Sequence, residues 1–211
     1  MYSPAAFIEE RPELLHGLMR AHPLGTLIVG GGDSVSADLV PFIFYPGEGP
    51  GGLGVLRAHV ARANPVWQAL REHGNCLVLF QGPQAYVSPS WYAGKAEHHK
   101  VVPTWNYAMV QARGTARVVE DSGWMWRLLN DLTAAHEAAL PQPWAPSDAP
   151  RDFIEAIMKG IVGIEIPLAS LSGKWKVSQN RGEADRAGVV QGLRTQAGGE
   201  AMAALVQGTQ Q

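Results

Sequence analysis

Cysteine is nearly missing from this sequence. Cys76 is the single one in 211 residues, which excludes an intrachain disulfide. It lies in the apolar run Cys76-Leu77-Val78-Leu79-Phe80 and reads as a small buried hydrophobe, not a reactive thiol. An excess of charge is missing too: 17 Lys and Arg stand against 19 Asp and Glu, for a net charge of -2. Such a balance argues against a broad basic footprint for nucleic acid, so composition does not support a DNA partner. No apolar run is long enough to span a bilayer, and no membrane association is expected. A signal-peptide pattern is lacking, because Phe7-Ile8 is followed at once by Glu9, Glu10 and Arg11. The expected address is cytoplasmic. The glycine-rich Gly30-Gly31-Gly32-Asp33 lacks the Lys-Ser/Thr of a phosphate loop and reads as a turn between strands. His98-His99 lacks the spacing of a metal site, since adjacent side chains diverge on regular structure, and no metal is expected.

What is present is a globular composition, with 46% hydrophobic and 17% charged residues. Ser3-Pro4 predicts a short helix to about Glu10, and Pro12 restarts a helix through Leu14, Leu15, Leu18 and Met19. Strands are predicted at Gly25–Val29, Ala37–Tyr45 and Leu53–His59. Asn64-Pro65 predicts a helix start, a cap followed by proline at the first helical position, with Trp67 and Leu70 on its buried side and a stop at Gly74. Cys76–Gln81 and Gln84–Ser88 read as two strands turned by Gly82-Pro83. Gly94–Lys100 reads as a mobile polar loop, and Thr104–Glu120 as one long strand. Asp121-Ser122 caps a helix to about Leu140, and Pro150 opens another to Lys159. A strand over Ile161–Ser172 is interrupted at Pro167, and loose helices with a frayed tail follow Arg181. Short antiparallel strands with few helices predict a mainly β fold, a closed barrel with α additions. Residues 1–180 are expected to form the barrel domain and 181–211 a helical extension or flexible tail.

Between Tyr86 and Tyr107, two aromatic–polar clusters flank a hydrophilic loop: Tyr-Val-Ser-Pro-Ser-Trp-Tyr and Val-Pro-Thr-Trp-Asn-Tyr. Tyr and Trp offer flat apolar faces with a polar tip, and Ser, Thr and Asn add short hydrogen-bonding groups. The combination suits a planar ligand with a polar edge and a phosphate tail. It suits equally a strand pair at a subunit interface, where aromatics are also enriched. His59 and Arg62 stand at a strand end just before the helix that Asn64 caps, where an anion is favoured and a guanidinium fork matches a phosphate. For Arg62 a surface salt bridge is the competing reading. Lys174-Trp175-Lys176-Val177-Ser178-Gln179-Asn180 forms a third cluster of aromatic, basic and amide groups.

These blocks, together with Met1-Tyr2-Ser3-Pro4 and Ala58-His59-Val60-Ala61-Arg62-Ala63-Asn64-Pro65, resemble the PaiB family of FMN-binding negative transcriptional regulators over roughly residues 1–180. The resemblance implies an FMN-binding split β-barrel of antiparallel strands with peripheral helices, similar to flavin reductases and pyridoxamine-phosphate oxidases. It also implies a homodimer with FMN at the subunit interface. Within that frame, Arg62 and His59, beside Asn64, are expected at the phosphate. Ser88, Ser90 and Thr104 are expected to donate to phosphate or ribityl oxygens. Trp91, Tyr92 and Trp105 are expected around the isoalloxazine ring, and Asn106 and Gln179 at its pyrimidine edge, where an amide both donates and accepts. Lys174 and Trp175 are expected to reach the site from the second subunit. The family name implies a transcriptional regulator acting through a flavin-linked signal. An FMN-dependent oxidoreductase and a flavin-free dimeric interaction module are the alternatives. No catalytic base for a particular substrate stands out.

Overall fold

The computed structural model describes residues 1–31 and 34–208. Among the described residues the strands are β1 (Ile8–Glu9), β2 (Leu24–Gly31), β3 (Ser34–Pro41), β4 (Ile43–Tyr45), β5 (Val55–Ala61), β6 (Asn75–Val87), β7 (Thr104–Thr115), β8 (Arg117–Val119) and β9 (Ile161–Lys176). The helices are α1 (Pro12–Ala21), α2 (Val66–His73), α3 (Lys95–His98), α4 (Ser122–Glu137), α5 (Arg151–Met158), α6 (Glu183–Arg194) and α7 (Glu200–Gly208). The sheet runs β3-β2-β6-β7-β9-β5-β4, with β1 and β8 also on β9. Pairs β2–β3, β2–β6, β4–β5, β5–β9, β1–β9 and β8–β9 are antiparallel. β3 packs against β5 from the far end of that path, so the sheet curls back on itself.

The chain divides into two compact units, and β6, β7 and β9 each have residues in both. One comprises Met19–Phe80 and Gln111–Leu171. Its interior follows from strand alternation. On β5, Leu56, Ala58 and Val60 point inward and are buried, and Val162, Ile164 and Ile166 do the same on β9. Phe42 meets Phe80 edge-on with ring centroids 5.9 Å apart. The outer face of β9 is covered by α4 through Trp124, Met125, Leu128 and Leu132. Asp121 caps α4, its Oδ1 accepting from the Trp124 N–H at 2.6 Å. Under that helix, Glu165 is buried and accepts from Arg57 Nε at 2.7 Å, Arg117 Nε at 2.6 Å and Trp124 Nε1 at 3.2 Å. Burial pushes this carboxyl up, but the bonds from Arg57, Arg117 and Trp124 outweigh it and hold the group below the ordinary carboxylate range.

The other unit comprises Met1–Leu18, Gln81–Val110 and the chain from Ser172. Its helices α6 and α7 bury Val189, Leu193, Met202, Ala203 and Val206 completely. They are packed elements, not the loose tail that their glycine and charge content suggests.

Several expected boundaries move, each for a local reason. The N-terminal segment forms a 3-10 turn at Ala5–Phe7 and then β1, where a helix was expected. The pairing of Ile8 with Lys174 and Glu9 with Gly173 satisfies its backbone. Gly82-Pro83 does not turn the chain. Burial on β6 falls on Cys76, Val78, Phe80 and Gly82 and then shifts by one to Ala85 and Val87, so the pair marks a bulge in one continuous strand. Pro167 likewise lies within β9, which runs on to Lys176. The strand expected from Thr104 to Glu120 breaks after Thr115 into β7 and β8. The polar loop after Gly94 holds the short helix α3, closed by His99 at φ +55. Of the expected glycine turn, Gly32 and Asp33 lie outside the described residues, and Gly31 pairs with Ser34.

Cys76 is buried, with Sγ 3.6 Å from the Gly114 carbonyl, and burial pushes its thiol up to about 11. The native protein should therefore stay unlabelled by a thiol reagent at pH 8 and take up one label per chain in denaturant. Rapid native labelling would contradict the packing described.

Candidate functional site

The expected site residues fall in both units. His59, Arg62 and Asn64 belong to the barrel unit, at the end of β5 and the entry to α2. Asn64 does what its position before Pro65 predicts. Its Oδ1 accepts from the Val66 N–H at 2.9 Å while its Nδ2 donates to Asp38 Oδ1 at 2.8 Å. α2 buries Val66 and Leu70, leaves Trp67 half-buried, and stops at Gly74, whose φ of +71 suits only glycine at low cost. Arg62 donates from Nε to the Lys159 carbonyl at 3.0 Å, from Nη1 to Glu120 Oε1 at 2.7 Å and from Nη2 to the Ile161 carbonyl at 3.3 Å. The salt bridge and the corner of β9 thus occupy three of its N–H groups; two remain for a ligand. His59 shares its strand face with Arg57, and its Nδ1 is buried without a hydrogen-bond partner. Burial pushes the imidazole below its usual range, so it is neutral at pH 7.

The remaining candidates lie in the other unit, around the start of β7 and the end of β9. Lys176 Nζ donates to Thr104 Oγ1 and, at 2.7 Å, to the Trp105 carbonyl. Burial pushes this ammonium below its ordinary value, and the neighbouring charges of Lys174 and Arg181 add to that against the opposing influence of Tyr107. Lys174 Nζ donates to the Tyr2 carbonyl at 3.1 Å and sits 5.4 Å from the Tyr107 ring centroid. Trp105 is 53% exposed and meets Tyr86 edge-on at 6.2 Å. Trp175 is buried.

The two amides expected at a flavin edge are engaged locally. Asn106 is buried and donates from Nδ2 to Ser178 Oγ at 2.9 Å, holding Ser178 at φ +63. Gln179 accepts from the Val177 N–H at 2.8 Å and donates to the Trp175 carbonyl. Both therefore shape the turn after β9.

Ser88 Oγ accepts from the Ser90 N–H at 3.2 Å and caps the 3-10 turn Pro89–Trp91, while Ser90 Oγ accepts from Lys95 Nζ at 3.1 Å. Trp91 is half-buried against α6, where Gly188 and Gly192 leave it room. Tyr92 is buried, its Oη unpartnered, with the Arg181 guanidinium 4.7 Å from its ring centroid.

Lys176 and Arg181, which the sequence shows only as part of a small basic cluster with Lys174, lie near it here, since the charges of Lys174 and Arg181 both act on Lys176. Strand period pairs the two lysines: Lys174 and Lys176 share a face of β9.

Each unit by itself carries groups that fit part of an FMN molecule. In the barrel unit, Arg62 keeps two N–H groups that suit a phosphate, and the orphaned His59 Nδ1 is a buried polar atom that a ligand would satisfy. In the other unit, half-buried Trp91 and exposed Trp105 offer aromatic faces that suit a flat ring.

An antiparallel sheet curled into a barrel, with peripheral helices and such donors, is a flavin-binding split barrel. The family described as "Putative FMN-binding domain" matches residues 1–170, and the chain belongs to it. It is 37% identical over 226 residues to an uncharacterized protein of Emericella nidulans, covering 92% of this chain and 90% of that one. It is 29% identical over 199 residues to the protease synthase and sporulation protein PAI 2 of Bacillus subtilis, covering 93% of this chain and 90% of the relative. Among solved structures, the flavocytochrome Anf3 of Azotobacter vinelandii matches with a TM-score of 0.58 at 15% identity, over 86% of this chain and 75% of that one. That likeness shows the shared fold. FMN is the cofactor, which sets aside the flavin-free reading. Among the described residues no helix is long and apolar enough to cross a membrane.

Proposed function

We propose that this FMN-binding protein works as a homodimeric negative regulator of gene expression whose signal is the state of its flavin. The observation that carries the regulatory part is the similarity to PAI 2, which extends over nearly the whole of both chains. The exposed Leu24, Val35 and Leu39 on β2 and β3 support a subunit contact. FMN supplies one- and two-electron chemistry when bound, and the protein's part is to hold and tune it. In this reading His59, Arg62 and Asn64 receive the phosphate. Ser88, Ser90 and Thr104 bond its oxygens. Trp91, Tyr92 and Trp105 flank the ring, and Lys174 and Trp175 serve the second subunit's flavin. Asn106 and Gln179 hold the turn beside it. The basic residues gather at one strand end instead of lining a helix, so the signal is expected to pass through a partner protein or metabolite, not through direct reading of a duplex. A second reading, an FMN-dependent oxidoreductase, draws on the cations Lys174, Lys176 and Arg181 standing near exposed aromatic surface.

The test compares transcripts in a deletion strain with those in a strain carrying an FMN-deficient variant. Matching changes in both support a flavin-linked regulator. Unchanged transcripts, with flavin reduction and reoxidation by the purified protein, would transfer the function to the oxidoreductase reading. At the site itself, Arg62→Ala should weaken FMN binding by about 1.5 kcal/mol, roughly tenfold, the scale of one charge-assisted hydrogen bond. Quenching of flavin fluorescence on titration measures it; an unchanged affinity would move the phosphate elsewhere.

A further inference from the structure

A cavity of about 900 Å³ opens within the unit formed by Met19–Phe80 and Gln111–Leu171. It lies between the start of α4, the end of α5 and the first residue of β9. Its size suits a small organic molecule. The apolar part of its lining is Met125, Trp126, Met158 and Ile161. Met125 is buried, and Met158 and Ile161 pack against the core cluster that it shares with Trp124, Leu128 and Leu132. Trp126 is half-buried. Two thioethers and an indole favour an aromatic guest, because sulfur and ring edges attract and rings stack or meet edge-on.

The charged part of the lining is unbalanced. Its carboxylates are already engaged: Glu120 accepts from Arg62 and Arg71, Asp121 from the Trp124 N–H, and Glu155 from Arg151. Those bonds account for Arg62 and Arg151, and Arg62 is tied further to the Lys159 and Ile161 carbonyls. Arg127 and Lys159 line the same cavity, and neither takes part in an ion pair among the described residues. A Cβ at Gly123 would lie 3.9 Å from Arg127 Nη1, so the guanidinium is folded back beside the first turn of α4. An apolar hollow edged by two uncommitted cations complements an anion with an apolar body. A guanidinium fork matches a carboxylate in particular.

We propose that this cavity binds a small aromatic monocarboxylate, its ring against Met125, Trp126 and Met158 and its carboxylate between Arg127 and Lys159. The site goes beyond the flavin reading. Neither cation is among the residues that receive FMN there, and Arg62, which borders the cavity, is held to Glu120 and the corner of β9. The acid is thus a second ligand, one that the protein can bind while its flavin stays in place.

The experiment uses the FMN-loaded protein and naphthalene-2-carboxylate as the probe, with calorimetric titration and a measurement of flavin released into the filtrate. Naphthalene-2-carboxamide is the uncharged control and acetate the anion without a ring. The native protein should bind the probe below millimolar concentration and both controls far more weakly. The Arg127→Gln/Lys159→Gln double variant should bind the probe at least about tenfold more weakly, near 1.4 kcal/mol. Both side chains are exposed, and the Lys159 group that holds Arg62 is a backbone carbonyl, so the thermal melt and the FMN content should be unchanged. Arg127→Glu alone should weaken the probe and leave the carboxamide as it was. Equal binding by native and double-variant proteins overturns the proposal, as does equal binding of acid and carboxamide, or no binding of the probe at millimolar concentration. Release of FMN by the probe also overturns it, because the acid then enters the flavin's own site; that result leaves FMN binding itself intact.

Discussion

Glu165→Ala is expected to lower the unfolding free energy by about 3 kcal/mol, the low end for removing one partner of a buried ion pair. The carboxylate accepts from Arg57, Arg117 and Trp124, and all three donors lose their shared acceptor together. Two features keep the loss at the low end. The Arg117 side chain is 65% exposed and can turn to water. Arg57 retains Glu48 at 2.6 Å. Buried Trp124 has no such recourse, and its ring packs over Gly163, so α4 loosens from β9 as well. Denaturant titration measures the change. A loss below about 1 kcal/mol, the scale of a surface pair, would show that the network is not sensed as buried. The pH dependence has a definite sign. The folded carboxyl titrates below its ordinary 4.5, so its contribution is whole above that value and is lost as pH falls through the depressed folded value. Glu165→Gln should flatten that part of the acid limb of the stability curve.

Gly192→Leu is expected to cost nearly as much, about 3 kcal/mol, the upper end for overpacking. A Cβ at Gly192 would lie 2.2 Å from Trp91 Cδ2, and one at Gly188 would lie 2.0 Å from the Trp91 carbonyl oxygen. The two glycines are one helical turn apart on a single face of α6. The ring therefore has no room to retreat along the helix, and α6 must lift away and carry α7 with it. A thermal melt combined with tryptophan emission reads both the lost stability and the wetter indole. An unchanged melt would mean that α6 does not rest on Trp91. The milder Gly192→Ala should move the same observables less.

Much of the barrel was legible because its signals are local. Alternation on β7 puts Ala108, Val110 and Ala112 inward, as the sequence pattern suggests. Asn64 before Pro65, and Asp121 before α4, are caps that need no tertiary knowledge. The aromatic–polar clusters were visible as composition, and Lys176 was within reach through strand period. Pro83 and Pro167 misled, because proline weakens a strand in isolation whereas a bulge or an unpaired donor position accommodates it. The packing of α6 and α7 could not be read, since the apolar residues of α6 are interspersed with glycine, and the value of Gly188 and Gly192 lies in a tryptophan about a hundred residues upstream. The engagement of Asn106 and Gln179 with the turn at Ser178 was equally hidden. A side-chain amide shows its capacity in the sequence, but its partner only in space.

The bulge in β6 makes chain length there a matter of parity. Upstream of Pro83 even-numbered side chains face inward; downstream, odd-numbered ones do. Deleting a single residue at 83 or 84 would remove the extra residue that the bulge accommodates and let one unbroken alternation run from Cys76 to Val87, with Ala85 and Val87 still facing inward. Removing two residues would be the graver lesion: Ala85 and Val87 would face water, and Tyr86 would be driven into the core. A gap of one in any shortened or grafted version of this strand thus straightens it, whereas a gap of two inverts its amphipathic sense.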